Sequence, residues 1–273
     1  RELVRLGLID EIELEAFVHG AMCVAQSGRC FLSYHESGKS ANRGECQQLC
    51  RREYEVTEKR GDAHFRVGPD YILSAKDMCT MPFIEKLIEN GIKSFKIEGR
   101  NRSPEYVHTV TYAYRRAVDY YFDNNGKRGW RQGFDQVKQE ETERLRSVYN
   151  RGFSNGFYFG KPSNEWAQSG GNQATHRKVH LGRVLNYYKK AGVAHIRIEN
   201  RGVDLGDELL ILGDSTGVVK LKCDRMVEDE QALQHVDPGH EVTIPVCERV
   251  RKNDKVYVLT VAETANGGVI RSA

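Results

Sequence analysis

The apolar positions of this chain change period several times. From Ile12 to Phe17, Ile12, Leu14 and Ala16 alternate with Glu13, Glu15 and Phe17, the two-residue repeat of a strand. Residues 81–91 switch to helical spacing, with Phe83, Ile84, Leu87 and Ile88 on one face and Gly91 as a C-terminal stop. IKSFKIEGR (92–100) alternates again. Carried to its end, that strand sets Lys96, Glu98 and Arg100 on one side and Phe95 and Ile97 on the other. Ser103-Pro104-Glu105 then opens a helix with a capping residue, proline at its first position and an early acid. Val107, Val110, Tyr114, Ala117 and Tyr121 predict its packed stripe, and a polar helix is predicted over 134–149. Strand, helix, strand, helix in close succession is the grammar of βα units with parallel strands.

The pattern changes after residue 160. Residues 162–177 are rich in Ser, Asn, Gly and Gln, the composition of a linker. Beyond them come short alternating runs, HLGRVLNY, VAHIRIE, ELLILG, GVVKLKC, EVTIPV and KVYVLT, separated by turn signals such as Asp-Pro-Gly. They predict a small all-β domain, a barrel. The expected division is an α/β unit at 1–160, a linker at 161–177, a β-barrel at 178–263 and a tail at 264–273.

Composition narrows the class without fixing it. The 273 residues carry 41 Lys and Arg against 38 Asp and Glu, a net +3 that permits a nucleic-acid partner without demanding one. No apolar run approaches the roughly 18 residues of a membrane span, so no membrane role is expected and the cysteine usage fits a reducing cytoplasm.

The cysteines are the densest chemical signal. Five of seven lie between Cys23 and Cys79: Cys23, Cys30, Cys46, Cys50 and Cys79. Buried inert thiols, disulfides and metal-bound thiolates are the three readings. The neighbours Gly20, Ser27, Gly28, Arg29, Arg43, Gly44 and Arg51 describe a polar loop, not a core strand. Tetrahedral zinc sites usually show two tight cysteine pairs, and only Cys46 and Cys50 are close. The wide spacing favours an iron–sulfur cluster held between separate loops, with zinc the alternative.

The run Glu15-x-Phe17-x-x-Gly20-Ala21-Met22-Cys23-x4-Gly28-x-Cys30-x-Leu32-Ser33 resembles the signature of peptidase family U32, the collagenase-like proteases. SANRGECQQLCRREY, LSAKDMCTM and FKIEGRNRSPEYV resemble that family's later blocks. The resemblance implies a TIM-like (β/α) barrel, of which this chain reads as the C-terminal part, since such a barrel takes about 250 residues. It also implies a 4Fe–4S cluster, carried by position onto Cys23, Cys30, Cys46 and Cys79, with Cys50 as a possible substitute ligand. The implied activity is oxygen-independent hydroxylation of RNA, of a tRNA wobble uridine in particular, with prephenate as hydroxyl source and a paired U32 subunit as a possible partner.

Other residues divide between bland and sharp readings. Three alternating charges on one strand are costly unless they pair or meet a ligand, so Lys96, Glu98 and Arg100, with Glu15, form either a salt-bridged rim or the wall of a site. His19 and His35 flank the cysteine block and read as structural. GFSNG (152–156) fits a G-x-S-x-G nucleophile pattern, but that pattern needs a strand before it and a helix after it, whereas a helix is predicted before Ser154. The GRV…RGVDLGDELLI pattern is similar to the second domain of translation elongation factors. Lys189, Lys190, Arg249, Arg251, Lys252 and Lys255 are either phosphate contacts or a solvated face. Cys223 and Cys247 read as core thiols. Three functions stand: an RNA hydroxylase, a collagenase-like peptidase, or a metal-stabilised RNA-binding module.

Overall fold

A computed structural model of the chain describes residues 5–7, 11–26, 29–52, 54–57, 66–70, 73–162, 165–167 and 172–262. The expected tail at 264–273 and part of the expected linker lie outside the described residues. The chain divides into two compact units, Arg1–Asn101 with Thr109–Ala174, and Arg102–His108 with Thr175–Ala273.

The first unit is a mixed α/β structure. Its strands β1 (Leu14–Ala21), β4 (Asp77–Cys79), β5 (Ile92–Ile97) and β6 (Phe153–Ser154) form a four-stranded sheet in the order β5-β1-β4-β6. β1 and β5 are parallel, with Phe17 opposite Lys96, and β4 and β6 are parallel. β1 and β4 are antiparallel, with His19 opposite Cys79 and Ala21 opposite Asp77. This corrects the expectation of parallel strands throughout: the sheet is open and mixed, and a TIM barrel is not what these residues form. The physical reason lies in the connection. Among the described residues between β1 and β4 there is no crossover helix of the kind that parallel neighbours need. The chain runs through a short helix, α1 (Phe31–Ser37), two 3₁₀ turns at Ala41–Arg43 and Leu49–Arg51, and a hairpin of β2 (Tyr54–Thr57) and β3 (Arg66–Asp70), and then returns beside its starting point.

Three helices flank the sheet: α2 (Ile84–Glu89), α3 (Pro104–Asn124) and α4 (Trp130–Arg146). α3 begins at the proline that the sequence indicates. Val110, Ala113, Tyr114, Ala117, Val118 and Tyr121 are buried along it, at the spacing of one helical face. Val107, predicted for that stripe, is exposed. α4 starts four residues earlier than predicted, at Trp130, because Trp130 and Phe134 pack against Tyr121 at ring-centroid distances of 5.6 and 5.8 Å. Glu141 of α4 is fully buried and paired with Arg116 and Arg144. Lys138 of the same helix bonds Glu85 at 3.2 Å.

The second unit is built on an eight-stranded sheet of order β11-β10-β16-β7-β8-β15-β12-β13. These strands are β7 (His176–Tyr188), β8 (Val193–Ile198), β10 (Glu208–Gly213), β11 (Gly217–Lys222), β12 (Met226–Glu228), β13 (Gln231–Leu233), β15 (Glu241–Pro245) and β16 (Lys255–Val261). A further pair, β9 (Val203–Asp204) and β14 (His235–Val236), is antiparallel. The sheet is not closed into the expected barrel, but it coils round one core: Val219 near one end of the strand order and Met226 near the other belong to the same buried cluster as Leu181, Ile196, Leu209, Ile244 and Val256. Each fully buried Leu, Ile or Val contributes about 1.5–3 kcal/mol relative to exposure, so this unit carries its own core. Among the described residues, no helix is long and apolar enough to cross a membrane.

Candidate metal centre and its surroundings

The thiols are positioned by the excursion between β1 and β4. Cys23 follows the end of β1, Cys30 immediately precedes α1, Cys46 follows the Gly44 turn and Cys50 lies in the second 3₁₀ turn. Backbone-directed bonds hold these pieces together. The Gln47 N–H donates to Ser33 Oγ on α1 at 3.3 Å, and the Tyr54 hydroxyl donates to the Leu49 carbonyl at 2.7 Å. The Gln48 N–H points at Cys46 Sγ, 3.4 Å away.

Arg51 ties the excursion to the sheet. Its guanidinium donates to Ser74 Oγ at 2.9 Å, to the Ala75 carbonyl at 2.8 Å and to the Met22 carbonyl. Burial pushes its pKa down, and nearby Arg151 adds to that effect. Arg151 is itself buried, bonded to Asp77 at 3.0 Å at the start of β4.

The cysteines fall into two environments. Burial raises the pKa of Cys50; Arg51 opposes that rise, and Cys23, Cys46 and Cys30 add to it. Cys50 is thus within electrostatic reach of the other three. Cys79 is buried in the sheet with the Tyr114 hydroxyl 3.8 Å from its sulfur, and burial pushes its thiol up to about 11. Asp77, not Cys79, opposes Ala21 at the mouth of the thiol loop, and the strand then runs away from it. Among the described residues, no group of three or more His, Cys, Asp or Glu side chains is arranged to hold a metal ion. The seven cysteines are all free thiols.

The four charged residues expected to line one wall split into two pairs. Glu15 takes Lys96 at 3.2 Å and Ser94 at 3.1 Å, and these hydrogen bonds, Lys96 first, lower its pKa. Both side chains are half exposed. Glu98 and Arg100 lie beyond the end of β5, so the alternation does not reach them. Glu98 accepts the Arg100 N–H at 3.0 Å. Its backbone crowds Gly20, where a Cβ would lie 2.7 Å from Glu98 Cβ and 2.8 Å from its carbonyl oxygen. With φ +124° as well, that position admits only glycine without strain. Arg100 reaches the thiol excursion: a Cβ on Gly44 would sit 3.2 Å from its Nη1. The structure therefore brings Arg100 to the Gly44 turn and leaves Glu15 and Lys96 to each other.

His19 is buried, its Nδ1 3.4 Å from the Tyr114 hydroxyl, which donates to the Val18 carbonyl at 2.8 Å. His35 is exposed beside Glu36. Ser154 is buried and its Oγ accepts the Gly156 N–H at 2.9 Å, followed by a turn and not a helix. In the second unit Arg251 is tied to Ser215 and Thr216. Cys223 is buried as expected, whereas Cys247 is exposed and is not a core thiol. Sequence reasoning missed Arg51, although its place beside Cys50 was the available signal. It also missed Tyr114 as a hydrogen-bonding centre, having read it only as packing.

Comparison with known proteins places this geometry. The family model described as Peptidase family U32 matches residues 3–168. A collagenase of Porphyromonas gingivalis is 39% identical over 250 residues, 90% of this chain and 58% of that protein. A tRNA hydroxylation protein of Bacillus subtilis is 35% identical over 207 residues, 74% of this chain and 47% of that protein. The chain thus spans roughly half to three fifths of these two relatives. The crystal structure of the C-terminal domain of a U32 peptidase from Geobacillus thermoleovorans aligns with a TM-score of 0.28 and 18% identity, covering 29% of this chain and 90% of that one. The match runs through β1, the thiol excursion, β4, β5 and both long helices, and on that ground the chain belongs to peptidase family U32.

Proposed function

We propose that this chain is the thiol-bearing part of an iron–sulfur-dependent RNA hydroxylase. The observation that supports the reading is that Cys23, Cys30, Cys46 and Cys50 all lie on the excursion between β1 and β4. An all-thiol donor set on separate loop segments suits a 4Fe–4S cluster, and zinc is the competing occupant. The backbone N–H of Gln48 directed at Cys46 Sγ is the kind of contact that steadies a sulfur ligand. Cys50 is the proposed fourth ligand, because Cys79 is buried in the sheet beside Tyr114.

When bound, such a cluster supplies one-electron chemistry, the requirement for replacing a C–H bond with C–OH without molecular oxygen. The chain's own residues hold its ligands and shape the site. Arg51 fixes Met22 next to Cys23, and Arg100 presents a permanent positive charge beside the Gly44 turn. That charge suits an anionic partner, whether an RNA phosphate or a carboxylate hydroxyl donor such as prephenate. The proposed site lies on the loops that follow β1 and β5, at the ends of those two parallel strands. A cytoplasmic location and a paired U32 subunit complete the proposal.

The peptidase reading has one favouring observation, the similarity to a protein named collagenase. Against it, Ser154 of the nucleophile-like motif at 152–156 is buried and bonded to its own turn.

The test is anaerobic purification with iron and sulfide assays, followed by mass spectrometry of nucleosides from tRNA incubated with the protein. About four irons and four sulfides per chain, lost in Cys50→Ser and retained in Cys79→Ser, is the expected result. A colourless protein with one zinc, or collagen cleavage that survives metal removal, overturns the proposal.

A further inference from the structure

We infer that the turn Gly156–Gly160, with Phe17 of β1, is a stacking surface for unpaired RNA bases beside the thiol loop; this rests on the RNA reading above. Phe157, Phe159 and Phe17 are 67%, 61% and 45% exposed. A phenyl ring left in water forgoes the gain of burial, so three exposed rings on one turn and the strand it is stapled to call for a partner.

These rings are not loose. The Tyr158 hydroxyl donates to the Phe17 carbonyl at 2.6 Å and staples the turn to β1. Phe83 packs edge-on against Tyr158 and Phe159, with centroids at 5.5 and 4.7 Å. Ser154 Oγ accepts the Gly156 N–H at the start of the turn. The buried serine of the nucleophile-like motif thus shapes the platform.

Cations accompany the rings. Lys86 Nζ lies 5.1 Å from the Phe159 centroid, and Lys96 Nζ lies 5.0 Å from that of Phe17, where Glu15 also holds it. Exposed aromatic faces with ammonium groups at their sides match the needs of single-stranded nucleic acid, which offers π faces joined by phosphates. The core of a protein-docking patch is instead depleted of charge.

The location fits the chemistry. A Cβ on Gly156 would lie 3.1 Å from Met78 Sδ and 3.7 Å from Met22 Sδ, and Met22 precedes Cys23. A base on this surface sits at the edge of the thiol loop, and an enzyme that modifies a base needs it out of its stack.

The experiment is fluorescence anisotropy of a short labelled oligouridine, single-stranded and annealed to its complement, with the intact chain and four variants. Phe157→Ala and Phe159→Ala are expected to weaken single-strand binding about tenfold each. Phe157→Tyr keeps a ring and retains binding, and Phe122→Ala, exposed elsewhere on α3, changes nothing. Thermal melts accompany each variant. If Phe159→Ala fails to fold through its contact with Phe83, the more exposed Phe157→Ala carries the test. Alanine variants that bind as wild type does overturn this inference alone. So does a change of oligomeric state in Phe157→Ala with RNA binding intact, which makes the surface a protein interface. Wild-type protein that ignores the oligouridine overturns the RNA reading and this inference with it.

Discussion

The Arg51 guanidinium donates to the Met22 carbonyl, so the residue after Cys50 holds the residue before Cys23. One cation thereby joins the two ends of the thiol excursion, and its other bonds, to Ser74 and Ala75, anchor both to the approach of β4. Arg51→Ala leaves these acceptors without their charged donor. A loss of about 2–4 kcal/mol is expected, read as a lower melting temperature with faster alkylation of Cys23 and Cys50. Arg51→Lys, which lacks the fork, restores little of it. Unchanged melting and thiol reactivity in both variants would remove Arg51 from this role.

Gly20 faces a steric limit on two counts, positive φ and the Glu98 backbone. Gly20→Ala is expected to cost at least about 2 kcal/mol, measured by urea denaturation. Glu98→Gly in the same background leaves the carbonyl clash in place and therefore does not rescue it. Full rescue would show that the Glu98 side chain is the sole obstacle.

Glu141 is a fully buried carboxylate between Arg116 and Arg144. Removing one member of a buried ion pair strands the other charge, at about 3–5 kcal/mol, and the partial exposure of both arginines sets the expectation for Glu141→Ala at the lower end of that range. Glu141→Gln keeps a hydrogen-bond acceptor and is expected to fall between alanine and wild type. Equal stabilities for all three would show the pair to be inconsequential.

His235 offers Nδ1 to Asp204 at 2.6 Å and Nε2 to Asp237 at 3.2 Å. Both ring nitrogens donate only in the imidazolium, and these bonds, that to Asp204 first, raise its pKa. A raised folded-state pKa means that its contribution to stability is complete below the ordinary histidine value of about 6.5 and fades as pH climbs through the raised value. Melting temperature measured across that window should fall with rising pH more steeply in wild type than in His235→Gln. Parallel profiles would exclude the linkage.

Burial pushes both Cys79 and Cys223 up to about 11, so at pH 8 about one thiol in a thousand is ionised at either site. Iodoacetamide labelling of the metal-free protein, read by peptide mass spectrometry, should mark exposed Cys23 and Cys247 first and leave Cys79 and Cys223 until denaturant is added. Early labelling of Cys79 would show that the sheet opens there.

Local rules carried much of this fold. Ser103-Pro104 marked the start of α3, and alternation marked β1 and β5, because capping and strand periodicity act over a few residues. The sense of β4 was not legible: parallel and antiparallel pairings present the same three residues, DMC, and only the route of the connection distinguishes them. The family signature pointed to the cysteine block as a whole, but the positions of Cys50 and Cys79 depend on strand direction, a tertiary property. Glu98 and Arg100 were set on the strand face because periodicity does not announce where a strand stops. The aromatic turn at 156–160 went unread as a surface because exposure of a phenylalanine leaves no trace in its own sequence.

The antiparallel return of β4 has a consequence for how such a chain can vary. Because Ala21 and Asp77 face each other, the connection from β1 to β4 leaves the sheet and rejoins it at neighbouring points. That span is a cassette with adjacent ends. It can lengthen, shorten or be exchanged for another sequence without altering the register of any strand it interrupts, provided the clasp at Arg51 is kept. The sheet and the thiol chemistry are therefore free to evolve at different rates.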